Sequence, residues 1–246
     1  MPTVAVLVPI YKTALEPLEH FSLSHSLSAL PGREIFFIGP EGLDRRYYSE
    51  HFGAIPFLAF DPTYFASIPG YNRLLLSKAF YTRFADYDFI LVLQTDAIIL
   101  SDQLDFWCSQ PFDYVGAPWP DGHDLFVNAG RFEGAYGKRV RVTVGNGGLS
   151  LRRVRKCLSL LGEFGEVIGV FERTGSSEDL FFSFMGVLSG DFVIPNEITA
   201  SRFSLELKPA YYHAVNGGIV PMGGHAWWSY DPSFWMPHLK SKPPLP

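Results

Sequence analysis

Unbroken apolar runs alternate with periodic ones along the first hundred or so residues. Thr3–Pro9 (TVAVLVP) is short and β-branched, the pattern of a strand buried on both faces. Glu34–Ile38 (EIFFI), closed by Gly39-Pro40, repeats it; Ile55–Phe60 is a weaker third run and Phe89–Leu93 (FILVL) a fourth strand. Between them, Leu15–Ala29 carries leucines at helical spacing and stops at Pro31-Gly32. Tyr71–Phe84 (YNRLLLSKAFYTRF) places Leu74, Leu75, Ala79 and Phe80 on one helical face. This alternation predicts an α/β fold: an open, mostly parallel sheet with right-handed crossovers and helices on both faces.

Past this region the alternation fades. Phe112–Val115 and Val140–Val144 are expected as short strands, separated by a glycine-rich loop, Asp121–Gly137. Leu151–Phe164 and Glu178–Leu188 are expected as helices, and the closing KSKPPLP as a mobile tail. No repeat or long linker divides the chain, so one domain is expected over residues 1–246.

Composition narrows the classes. Hydrophobic residues make up 47% of the chain, enough for a sizeable core. A net charge of −5 argues against a nucleic-acid partner. Two cysteines, Cys108 and Cys157, argue against a disulfide framework or a zinc cluster. The start, MPTVAVLVPIYK, lacks a basic region and a cleavage site, and no apolar run reaches the ~18 residues a membrane span needs. The expectation is a soluble, cytoplasmic protein with no transmembrane segment, contact with the inner face of a membrane being left open.

Ligands of open α/β sheets sit beyond the carboxyl ends of the strands. Pro9-Ile10-Tyr11 and Gln94-Thr95-Asp96 fall there. Asp96 interrupts a hydrophobic stretch; it either caps a turn or holds a divalent cation on a phosphate-bearing substrate. In Gly145–Arg153 (GNGGLSLRR), Asn146 offers a donor and an acceptor, while Gly147 and Gly148 permit positive φ and close backbone approach. The turn suits a hydroxyl-rich ligand, or simply joins a strand to a helix. In TGSSEDLFFSF, Glu178 and Asp179 are either favourable first-turn acids or include a general base beside an apolar wall. His225, in MGGHAWWSYDPSFW, is a structural histidine or a metal ligand, on a backbone that Gly223-Gly224 makes adaptable. Trp227, Trp228 and Trp235 offer faces for sugar rings or an aromatic core.

Taken in order, these elements resemble a glycosyltransferase of the GT-A fold, and a bacterial GT-A-like group known only as a domain of unknown function. The likeness extends over roughly residues 3–230. It implies a nucleotide-binding part over about 1–100 and an acceptor-binding part over about 101–240. Gln94-Thr95-Asp96 stands where the family has its DxD motif, which binds Mn²⁺ or Mg²⁺ with the diphosphate of a nucleotide-sugar. Gln94 departs from the usual first Asp and removes one charge, so metal binding is weaker or absent by implication. Asn146-Gly147-Gly148 matches the sugar-contacting turn, with Pro9 and Tyr11 on the nucleotide side. Glu178-Asp179 matches the acidic pair of inverting members, Asp179 as base, and His225 the late metal ligand. Lys78 aims a cation at the phosphates or is a solvated helix lysine. The implied donor is a nucleotide-sugar, a UDP-sugar first, and the implied acceptor a glycan or lipid-linked saccharide. Lys138, Arg139, Arg141, Arg152, Arg153, Arg155 and Lys156 form either a solvated face or a surface for an anionic acceptor or membrane. The rivals are a non-catalytic carbohydrate-binding protein and a metal-dependent phosphohydrolase or nucleotidyltransferase. No Walker A or GxGxxG pattern supports the last.

Overall fold

The structure, a computed structural model, describes residues 2–127 and 138–244. Residues 128–137 of the predicted glycine-rich loop and the last two of the tail lie outside the described residues. The first half runs β1 (Val4–Pro9), α1 (Pro17–Ala29), β2 (Glu34–Pro40), α2 (Arg46–Phe52), β3 (Phe57–Phe60), α3 (Ile68–Leu75), α4 (Lys78–Thr82) and β4 (Phe89–Leu93). It continues through β5 (Ile98–Ile99), α5 (Leu104–Ser109), β6 (Tyr114–Val127), β7 (Lys138–Arg153), α6 (Val154–Glu163), α7 (Gly165–Thr174) and α8 (Glu178–Leu188). The last part holds α9 (Glu197–Ala200), β8 (Ser204–Leu205), α10 (Pro209–Val215), β9 (Gly223–Gly224) and α11 (Pro232–Trp235).

Six strands form the central sheet in the order β3-β2-β1-β4-β7-β6. The first four are mutually parallel; β7 runs antiparallel to β4, and β6 to β7. Both faces are covered, which is why β1 and β4 have no polar position. Ala5, Leu7, Ile90 and Val92 pack with Leu74, Phe80, Leu160, Phe181 and Phe182. Val4, Val6, Val8, Leu91 and Leu93 pack on the other side with Leu23, Tyr48, Leu104 and Trp107.

Two predicted helices are corrected. Tyr71–Phe84 is two helices, because Ser77 takes an extended backbone (φ −86°, ψ 127°). A single straight helix turns about 100° per residue and cannot aim three successive side chains at one core. The break lets Leu74, Leu75 and Leu76 all bury beside Phe80 and Tyr81. Leu151–Arg153 belongs to β7, paired with Phe89–Leu91, and the helix starts only at Val154.

A smaller sheet, β5-β9-β8, sits beside the first. Helix α1 reaches it through buried polar groups: Ser26 Oγ accepts from Ile99 N, His25 Nδ1 lies 2.9 Å from Ile99 O, and Trp227 Nε1 donates to Ser22. Trp227 and Trp235 are fully buried with Ile98, Leu205 and Tyr212, so these tryptophans form an aromatic core. Both cysteines are free and buried. No helix among the described residues is long and apolar enough to cross a membrane.

Candidate active site

A cleft of about 560 Å³ opens beyond the carboxyl ends of β1 and β4. This is the switch point of the sheet, since the chain adds β2 on one side of β1 and β4 on the other. Pro9, Tyr11, Gln94, Thr95, Asp96, Asn146, Gly147, Gly148, Glu178, Asp179 and His225 all line it.

The cleft is tied together by backbone. Gln94 N donates to Gly148 O at 2.9 Å, locking the turn after β4 to the turn inside β7. The glycines of that turn are required by crowding, not by backbone conformation: none has a left-handed φ. A Cβ at Gly145 would overlap Ser183 and Trp119, and one at Gly148 would overlap the His225 ring. At Gly147 it would lie 2.8 Å from Glu178 Oε1 and 3.1 Å from Arg152 Nη2. Gly223 and Gly224 act likewise. Side chains there would strike Ile98 O and Trp235, so the pair lets β9 insert and delivers His225 rigidly rather than adaptably.

At one pole His225 Nε2 lies 3.2 Å from Asp96 Oδ1 and 3.2 Å from Gln94 Oε1. Its Nδ1 lies 3.4 Å from Glu206 Oε2, close enough to pair in charge but not aligned as a hydrogen bond. Burial disfavours the imidazolium, yet Asp96 and Glu206 outweigh it and push the His225 pKa up to about 10. Burial would raise the Asp96 pKa, but His225 overcomes this and lowers it. The carboxylate inside the hydrophobic stretch is thus compensated by a histidine. Among the described residues no three His, Cys, Asp or Glu side chains converge to hold a metal. Asp96 and, once it has given up its proton, His225 would supply two protein ligands, with Gln94 a neutral third. That set fits a hard divalent cation sharing its shell with a diphosphate, and does not fit an ion held by protein alone.

At the other pole stands the start of α8. Glu178 is buried in a two-pronged pair with Arg152, Nη1 to Oε2 and Nη2 to Oε1 both 2.9 Å. Burial raises the Glu178 pKa, with Arg152 opposing. Asp179 is half-buried; its Oδ1 accepts from Ser177 Oγ and from Leu180 N (2.7 Å). Neither bond engages Oδ2.

A family assignment follows from the sequence spanning this cleft. The chain belongs to the DUF5672 family. That family, described as a protein of unknown function, matches residues 54–225, a stretch that holds both poles. No curated protein sequence matches the chain. In solved structures the DUF5672 chain resembles an active-site mutant of LgtC, at 17% identity and TM-score 0.55 over 98% of each chain. It also resembles the galactosyltransferase LgtC in complex with donor and acceptor sugar analogues, at 16% identity and TM-score 0.51, again over 98% of each. The likeness identifies the fold as that of GT-A glycosyltransferases.

Two expectations are corrected in this DUF5672 chain. Lys78 does not line the cleft. It opens α4, which packs on α6, and its Nζ lies near Gly162. The basic cluster is a solvated face only in part: Arg155 is exposed, and Arg139 and Arg141 are exposed while pairing with Asp124, but Arg153 pairs with buried Asp113 and Lys156 with Asp191. Arg152 is not exposed at all. Sequence reasoning also missed Glu19, Phe65, Ile68, Tyr71, Asn72 and Ser177, which line the cleft. Glu19 had a signal, as the second acid of a capping-box spacing with Glu16. Its carboxylate binds Lys12 Nζ and Thr95 Oγ1, joining β1 to the turn after β4.

Proposed function

We propose that this protein is a glycosyltransferase, moving a sugar from a nucleotide-sugar, a UDP-sugar first, to a hydroxyl of a glycan or lipid-linked saccharide. One observation carries the reading. Asp96 with His225, and Asp179, far apart in sequence, face one cleft at the switch point of a sheet whose fold is that of GT-A enzymes.

Pro9, Tyr11, Gln94 and Thr95 hold the nucleotide and diphosphate end, and Asn146-Gly147-Gly148 offers backbone and an amide to the sugar. Asp96 and His225, with Gln94, would hold a Mn²⁺ or Mg²⁺ together with the diphosphate. When bound, that ion neutralises charge on the leaving nucleoside diphosphate. Asp179 takes the proton of the acceptor hydroxyl as its oxygen bonds to the anomeric carbon. The bond from that carbon to the diphosphate breaks and its electron pair leaves with the diphosphate, so the centre inverts. Glu178 is committed to Arg152 and holds the helix start rather than the proton.

The test is thermal melting with UDP, GDP and CMP, each with and without Mn²⁺. One nucleotide should raise the Tm, and Mn²⁺ should matter only in its presence. A response to free saccharides but to no nucleotide would favour a binding protein. Release of inorganic phosphate from nucleotides would favour a phosphohydrolase.

A further inference from the structure

The Tyr71 side chain lines the cleft, and its hydroxyl oxygen is buried with the Gln94 amide beside it but no aligned hydrogen bond among the described residues. A buried hydroxyl left unpaired costs stability, so such a group calls for an explanation. The other partnerless atoms are accounted for differently. Glu206 Oε2 and His225 Nδ1 face each other. Trp107 Nε1, Ser204 Oγ and Trp235 Nε1 belong to residues outside the cleft.

The location of Tyr71 says what would meet it. Gln94 and Asp96 of one pole and Glu178 of the other line the same cleft as Tyr71, whose helix α3 packs on α8. It therefore sits between the proposed diphosphate end and the start of α8. In a displacement across this cleft, that interval holds the sugar being transferred. Burial keeps the phenol protonated at any working pH, so it can only act as a neutral donor or acceptor.

Tyr71 is also held rigidly. It lies on the first turn of α3, whose cap is Ser67 Oγ accepting from Gly70 N. Gly70 packs so closely on Thr63 and Tyr64 that no Cβ fits there. The Tyr71 ring packs against Phe65, with ring centroids 6.2 Å apart, and Phe65 also lines the cleft. A fixed aromatic wall with one polar atom suits a pyranose, which has an apolar C–H face and hydroxyl edges.

We propose that Tyr71 is a specificity residue for the transferred sugar, its hydroxyl hydrogen-bonding an oxygen of the hexose ring. This rests on the glycosyltransferase reading. A purely structural tyrosine and a ligand-binding one differ in sign under Tyr71→Phe. A structural hydroxyl would be missed by the empty protein. An unpaired one would not: the variant should melt at the same temperature as wild type or higher. Its loss should appear on binding instead.

The experiment measures the Tm of wild type and Tyr71→Phe without ligand. It then measures the Kd of each for UDP, UDP-glucose, UDP-galactose and UDP-N-acetylglucosamine by calorimetry, with Mn²⁺. The expected result is an apo Tm no lower in the variant and an unchanged Kd for UDP. For the UDP-hexose that wild type prefers, the Kd should rise roughly five- to tenfold, the effect of one neutral hydrogen bond. An apo Tm clearly below wild type, or a UDP-hexose Kd equal to wild type, overturns the assignment. If wild type binds none of the four, the assignment falls, and the glycosyltransferase reading falls with it only when GDP and CMP also leave the Tm unchanged. If wild type binds and the variant binds equally, only the role of Tyr71 falls.

Discussion

Arg152→Met would test the central packing claim about the cleft. Arg152 is fully buried, and its guanidinium donates to Glu178 Oε1 and Oε2 at 2.9 Å, to Tyr81 Oη at 3.1 Å and to Ser150 Oγ at 3.0 Å. It also lies 5.0 Å from the Tyr114 ring centroid and 5.4 Å from that of Phe182. Methionine fills much of that volume but leaves the Glu178 carboxylate buried without its cation. Removing one partner of such a pair costs about 3–5 kcal/mol. At ~2–4 °C per kcal/mol for a chain of this size, the Tm should fall by roughly 6–20 °C. The double variant Arg152→Met/Glu178→Leu removes both charges, and apolar replacement of a whole pair is often neutral or stabilising. It should recover most of the loss, which urea unfolding with a constant m-value would measure as a coupling of at least about 2 kcal/mol. A single variant costing under about 1 kcal/mol, or a double variant costing the sum of the singles, would refute the reasoning.

Other outcomes follow from the same geometry. Asp179→Asn should lower turnover by ~10²–10⁴ with little change in nucleotide Kd, as expected for loss of a general base; the reverse pattern, with Glu178→Gln dead and Asp179→Asn active, would exchange their roles. Gly148→Ala should cost about 1–3 kcal/mol through overlap with His225 and weaken Mn²⁺-dependent nucleotide binding, both readable by thermal melting. The His225 pKa, raised from 6.5 to about 10, means the folded state holds one more proton than the unfolded state between those pH values. Its stabilisation is therefore complete below about pH 6.5 and lost as pH rises through about 10, at no more than about 1.4 kcal/mol per pH unit. The lowered pKa of Asp96 acts oppositely, its contribution being lost as the pH falls below the usual 3.8. A His225→Gln variant should lack the alkaline slope in urea unfolding at pH 7 to 10, and an identical slope in both proteins would contradict the pairing.

Much of the architecture was legible in the chain. Runs such as Val4–Pro9 and Phe89–Leu93 bury every position, as strands of a sheet covered on both faces do. Strand ends then point to a ligand crevice by topology, so Pro9, Gln94 and Asp96 could be found without coordinates. What linear patterning did not carry was partnership across the fold. Leu151–Arg153 extends a strand only because β4 pairs with it, and a pattern of one segment does not name its neighbour. Arg152 looked like one charge in a basic run, but the pleat that turns Arg153 outward to Asp113 turns Arg152 inward to Glu178. Lys78 sat on a helix that the burial of Leu74–Leu76 broke, so its direction was set by a kink and not by periodicity. The glycines of the cleft were visible as glycines; that Gly148 makes room for a ring from residue 225 was not. Local periodicity fixes which side chains seek burial, because it depends on residues a few positions apart. Which groups then face one another depends on contacts across 71, 26 or 131 positions, and only the tertiary structure brings those together.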